Sequence, residues 1–234
     1  MLTRRMTRPL AIGAVVLVIG GGAAGIVSAT SGNGSAGAST GQVAQAGFAA
    51  KAGSNARSGP AAGGVVGTVS SVSTSSFTVS TAGGQKVTVK KASSTTYRKG
   101  TTSTSASAIK KGASVLVLGT ANGTTITATQ VVLQPVSGGT TTYTPSKVVT
   151  FKRGAPTTSK QDGKVPANYT EGSGTIVSGT AANKATTAAL SVYPGGVVDR
   201  VVKLSNGEYE VHNIGVNWPH HVFVSASFKV VGAN

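Results

Sequence analysis

The chain has 234 residues, no cysteine, 33 glycines, and 21 Lys and Arg against five acids. The lack of Cys removes disulfides, thiolate metal sites and cysteine nucleophiles. Five carboxylates and three histidines leave little material for acid–base or metal catalysis, and the 39% of apolar residues are mostly Ala and Val, too small to build one large core. Charge is divided unevenly along the chain. Residues 1–161 carry 16 bases and no acid, whereas residues 162–234 carry five bases and all five acids, so the formal charge of +16 lies on the first two-thirds. Such a split points to separate modules, the basic part facing a polyanion such as a membrane surface, an anionic wall polymer or nucleic acid. Scattered lysines also fit a plainer role as solvated side chains that discourage strand edges from pairing.

Residues 1–29 read as a signal peptide or a membrane anchor. Arg4, Arg5 and Arg8 form a positive start, and residues 10–29 run without a charge for the length of a bilayer crossing. The apolar heart at residues 10–19 has signal-peptide length, and Val27-Ser28-Ala29 is an acceptable cleavage site. Either way the chain is expected to be exported: cell-membrane-anchored with an extracellular C-terminus, or secreted if cut after Ala29. Residues 30–63 are almost wholly Ser, Gly, Ala, Thr, Asn and Gln without a period, and read as a disordered stalk.

Residues 64–134 read as a small antiparallel β-barrel-like domain. Val alternates with Thr, Ser and Lys through Val65–Val72, Phe77–Val79 and Val87–Val89, giving one buried and one wet face. Gly pairs and Asn122-Gly123 mark hairpins, and a short helical turn is expected at residues 105–110. Five or six strands in seventy residues predict a barrel. The runs Gly67-Thr68-Val69-Ser70-Ser71-Val72, Phe77-Thr78-Val79, Val87-Thr88-Val89, Thr95-Thr96-Tyr97 and residues 109–117 resemble an exported bacterial β-barrel-like domain of unknown function. That resemblance implies a barrel akin to oligonucleotide-binding folds and brings no catalytic residue. Lys86, Lys90, Lys91, Arg98, Lys99, Lys110 and Lys111 are the candidate polyanion contacts. Nucleic acid is the poorest of the candidate ligands, because only Phe77 and Tyr97 are at hand to stack on bases.

Residues 135–179, with Pro135, Pro145, Pro156 and Pro166, read as a Pro/Thr/Gly-rich linker in which residues 147–151 have the makings of one strand. Within it Asn168-Tyr169-Thr170 matches a glycosylation acceptor. Residues 180–234 read as one helix followed by an antiparallel sheet. An Ala-rich helical stripe over residues 180–193, with Thr180 as N-cap, ends at Pro194-Gly195-Gly196. Strands are expected at residues 197–204, 208–214, 220–224 and 228–231, with a turn at Ser205-Asn206-Gly207. Ala188-Ala189-Leu190, Tyr193-Pro194-Gly195, Val197–Val202, Tyr209-Glu210-Val211, Val222-Phe223-Val224 and Phe228-Lys229-Val230-Val231 together resemble a PepSY-type domain. The resemblance implies an envelope location and a partner protein such as a peptidase.

The fold class is therefore mainly β with an α+β end. The functional expectation is a non-enzymatic cell-envelope protein that uses no cofactor and whose C-terminal module binds or regulates an extracellular protein. The alternative is a basic scaffold that holds wall polymer, lipid or nucleic acid electrostatically. Trp218, His220, His221 and Tyr209 are candidate partner contacts, although Trp218 fits equally as a cap on the helix–sheet core. His212, His220 and Glu210 are the weak candidates for metal ligands. Adjacent His220 and His221 point to opposite sheet faces, so only one of them can join His212.

Overall fold

In a computed structural model the described residues are 59–133, 147–156 and 160–234; the expected anchor, most of the stalk, and residues 135–146 and 157–159 of the expected linker lie outside them. Among the described residues no helix is long and apolar enough to cross a membrane.

The first half builds a barrel. Its strands are β1 (Ala61–Val72), β2 (Ser76–Ser80), β3 (Lys86–Lys99), β4 (Thr102–Thr104), β5 (Ser114–Asn122) and β6 (Thr125–Leu133), with a 3-10 turn at Ala106–Ala108 before β5. Strands β1, β2, β3, β6 and β5 close into a ring, because β2 and β5 both pair with β1. The sequence reading expected antiparallel pairing throughout, whereas β3 and β6 run parallel, Val89 opposite Ile126 and Tyr97 opposite Val131. Geometry requires this: directions cannot alternate all the way round a ring of five. Val65, Val69, Phe77, Val79, Val87, Val89, Val115, Val117, Ile126 and Val131 fill the interior.

The remaining elements are β7 (Val149–Thr150), β8 (Asp162–Gly163), β9 (Thr175–Ile176), α1 (Gly179–Val192), β10 (Val197–Lys203), β11 (Tyr209–Ile214), β12 (Val216–Trp218), β13 (His221–Val224) and β14 (Val230–Ala233). The second-half sheet runs β10-β11-β13-β14-β8 with β9 added beside β10, and it joins the barrel through β1 against β10. One sheet thus crosses the boundary that the sequence reading places between residues 64–134 and 180–234.

That crossing explains residue choices in three strands. Val115-Leu116-Val117-Leu118 on β5 is apolar without alternation because Val115 and Val117 face the barrel interior while Leu116 and Leu118 face the helix. Val65 and Val66 of β1 divide in the same way. On α1 the buried residues are Ala182, Ala185, Thr186, Ala189 and Leu190, small enough to lie close against β1. Gly64 permits that approach, since a Cβ there would overlap the Val117 carbonyl and meet the Thr186 methyl. The helix begins one residue earlier than expected, and Ser178 is at the N-cap position in place of Thr180.

The barrel hairpin at residues 81–85 plugs into the turn that ends the helix. Thr81 Oγ1 donates to the Gly195 carbonyl, and Gly83 packs so closely there that a Cβ would overlap the same oxygen.

The expected linker is folded wherever it is described. Its residues 160–177 form a strap: β8 pairs β14, β9 pairs β10, and Tyr169 packs edge-on to Phe223 with ring centroids 4.8 Å apart. Before it, β7 pairs with β12. Short ladders of two residues leave no period in the sequence, which is why this segment reads as structureless.

Candidate functional site

The face of β10, β11 and β13 turned away from α1 is the chemically unusual part of the molecule. It carries a row of charged and titratable side chains beneath the strap. Asp199, Arg200 and Glu210 are each only 1% exposed, where charged side chains are rarely found.

A β-bulge gathers the first two. Between β10 and β11 the register shifts between Val198 and Arg200, leaving Asp199 as the extra residue. Asp199 and Arg200 consequently both approach His212, which pairs with Arg200 across the ladder. The His212 Nδ1–H donates to Asp199 Oδ1 at 2.6 Å. With that nitrogen committed as a donor it has no lone pair to give, so the Arg200 guanidinium at 3.1 Å is a charge neighbour and not a second hydrogen bond. His221 is opposite His212 on β13, ring centroids 5.3 Å apart.

Glu210 is the next outward residue on β11. The His221 Nε2 lacks a hydrogen-bond partner and is 3.5 Å from Glu210 Oε1, so Glu210 has only the Tyr169 hydroxyl to favour its charged form directly. Tyr169 of the strap tilts against the His221 ring at 5.7 Å, and its buried hydroxyl interacts with the Glu210 carboxylate. Burial raises the Glu210 carboxyl above its ordinary range despite the attraction of Arg200. Burial, reinforced by His212 and His220, lowers His221 to about 4. The Tyr169 phenol is raised by burial and then by Glu210.

The sequence reading singled out Glu210, His212 and His220 for metal, and the fold brings His221, not His220, to His212. Among the described residues no three His, Asp or Glu side chains are placed to hold a metal ion. Asp199 and Arg200 were missed. Their signal was available: a charged pair inside Val197-Val198-Asp199-Arg200-Val201-Val202 breaks the period of two by one residue, as a bulge does.

The candidate partner contacts divide. Trp218 is 1% exposed, edge-on to Tyr193 at 5.5 Å, donating its Nε1–H to the Lys160 carbonyl with the Lys160 ammonium 4.9 Å over its ring. It fills the core and offers no free face to a partner. Tyr209 is buried as well, stacked on Phe228 at 5.4 Å. His220 and His221 are half-buried.

The candidate polyanion contacts lie on the barrel. Lys86, Lys90, Arg98, Lys99, Lys110 and Lys111 are exposed, and half-buried Lys91 donates to the Ser73 carbonyl at 2.7 Å. Phe77 is in the barrel interior and Tyr97 is half-buried, so neither presents an open stacking face.

Two of the concavities border the elements described above. A groove of about 540 Å³ follows the outer side of α1, lined by Leu118, Gln130, Asn183, Lys184, Ala188 and Phe228 among others. A cavity of about 420 Å³ opens between the strap and the β10–β11 turn, with Lys164, Pro166, Tyr169, Leu204, Asn206 and Glu208 in its wall. No family model matches the chain, and neither a curated protein nor a solved structure matches it.

Proposed function

We propose that the chain is a non-enzymatic protein of the cell envelope, exported or anchored through residues 1–29, whose barrel holds an anionic polymer or lipid surface electrostatically. One observation carries this reading: residues 59–133 bear seven Lys and Arg and not one acid, and six of the seven bases are exposed. A surface of one sign attracts a polyanion from a distance and releases counterions on contact, without needing a shaped pocket. Three of the five acids are occupied elsewhere. Asp199 and Glu210 are buried, and Asp162 is paired with Lys147 at 3.0 Å.

Binding of the purified full-length chain to inorganic polyphosphate, measured across a salt series, tests the reading. The logarithm of affinity should fall linearly with the logarithm of salt concentration, and the Lys86→Gln/Lys90→Gln pair should reduce that slope by about two. The control Lys184→Gln should leave it unchanged. A slope unaffected by the barrel substitutions would overturn the assignment.

A second reading, in which residues 178–234 bind a protein partner as PepSY-type domains do, draws support from the groove along α1. Its apolar floor of Leu118, Ala188 and Phe228 beside Lys184 has the mixed character of a protein contact. Envelope protein that stays bound to the chain in high salt, and is lost with Ala188→Glu, would favour it.

A further inference from the structure

We propose that residues 160–177 are a proton-operated latch: at neutral pH the strap is closed over the buried row Asp199–Arg200–His212–Glu210–His221, and protonation of His221 lifts it from the sheet. The inference is independent of what the barrel binds.

Three features of the structure lead to it. First, the ionisable groups converge. Two of the five acids and two of the three histidines meet Arg200 on one small face. Second, the balance of charge beneath the strap is delicate. Facing His221 and Glu210 are Asp199 and Arg200 from β10, His212 from β11, His220 ahead of β13, and Tyr169 and Glu171 from the strap. Asp199 is already engaged by the His212 Nδ1–H, so it has little left to offer a cation on His221. Glu210 favours its neutral form through burial, takes up a proton early as pH falls, and so withdraws its own negative charge from this face. A further proton on His221 then places an imidazolium only 12% exposed to solvent near Arg200, with Asp199 the one buried carboxylate still charged.

Third, the strap is the part that can yield. It is held by two-residue ladders at β8 and β9, by the Tyr193 hydroxyl donating to Asp162 at 2.8 Å, by the Trp218 indole on the Lys160 carbonyl, and by Tyr169 against Phe223. The barrel by contrast has long ladders, eight register pairs between β1 and β5 alone. Local opening draws on the elements with the fewest buried contacts. Lifting the strap hydrates the His221 imidazole, which returns it from about 4 toward its ordinary value, and this difference in proton affinity drives the opening.

Hydrogen–deuterium exchange of the full-length chain at pH 7 and at pH 4.5, expressed as protection factors, tests the latch. Protection of residues 160–177 should fall by roughly tenfold or more at pH 4.5 while residues 61–133 keep theirs. Trp218 is the only tryptophan and loses its Lys160 contacts when the strap lifts, so its emission should shift to the red with the same midpoint. His221→Gln, which cannot take the charge, should move that midpoint to lower pH. If this variant lacks barrel protection at pH 7, His221→Asn makes the same test. A strap equally protected at both pH values would overturn the proposal. So would strap and barrel opening together, or a folded variant with an unchanged midpoint.

Discussion

Glu210 shows how much a single side chain can reveal about a site and how little of that is visible in sequence. Its place on a strand face with His212 follows from a period of two, and the sequence reading used it. Its burial does not follow, because the residues that cover it come from the strap, far away in the chain and without a period of their own. The choice between His220 and His221 has the same origin. Parity requires that only one reach His212, and the register of β13 against β11 makes it His221. That register depends on the path through β12, which the sequence presents only as Asn217-Trp218-Pro219.

Two opposed pH effects follow at this scale. The folded-state affinity of His221 for a proton is depressed, so the stability it permits is complete above about 6.5 and is lost as pH falls toward about 4. Glu210 has the opposite sign. Its folded value is raised, so its burial costs nothing in acid and increasingly more as pH rises above the ordinary carboxyl value of 4.5. Glu210→Gln should therefore stabilise the protein at pH 8 by about 1–3 kcal/mol, the cost of a buried polar group left unmatched, and give no gain at pH 4. Urea denaturation at the two pH values reads both numbers. A loss of stability at pH 8 would mean that the carboxylate is well compensated by Arg200.

Among the elements, β1 is the one whose composition the fold explains best. Glycine inside a strand weakens it unless something must come close. At Gly63 and Gly64 a Cβ would overlap the Val198 and Val117 carbonyls respectively. Gly64→Ala should therefore cost about 1–3 kcal/mol through forced backbone movement. Gly119→Ala on the facing strand should behave alike, because a Cβ there would overlap the Thr127 carbonyl. Gly123→Ala, at φ +55 with open space around it, should cost only about 1 kcal/mol, for the turn conformation alone. Chemical-denaturation midpoints of the three variants separate crowding from backbone conformation. Most elements were legible from sequence, namely the barrel strands, the hairpin turns, α1 and the four main strands after it. The strap was not, since Pro166, Tyr169 and two-residue ladders form no repeating pattern.

At the scale of the whole molecule, the sequence reading separated the barrel from the C-terminal module because charge and composition change between them. Charge belongs to the surface, however, and the joint is interior. Val197 of β10 packs in the barrel core, while Leu116 and Leu118 of the barrel pack under α1. Residues sharing interior surface in this way unfold together. Trp218 emission, which reports on the C-terminal half, and far-UV circular dichroism, dominated by the sheet, should give coincident urea transitions at pH 7. Two separated transitions would show the halves to be thermodynamically independent.

The placement of β1 has a mechanical consequence. It is the first described strand, and its hydrogen bonds run to β5 along one edge and to β10 and then β2 along the other. A tether attached ahead of Ala61 and drawn along the strand axis loads those bonds side by side, so that they must fail together in shear instead of peeling one at a time. A chain held to a surface by its N-terminal end would thus transmit tension into the best-braced strand of the fold before any of it reached the two-residue ladders of the strap.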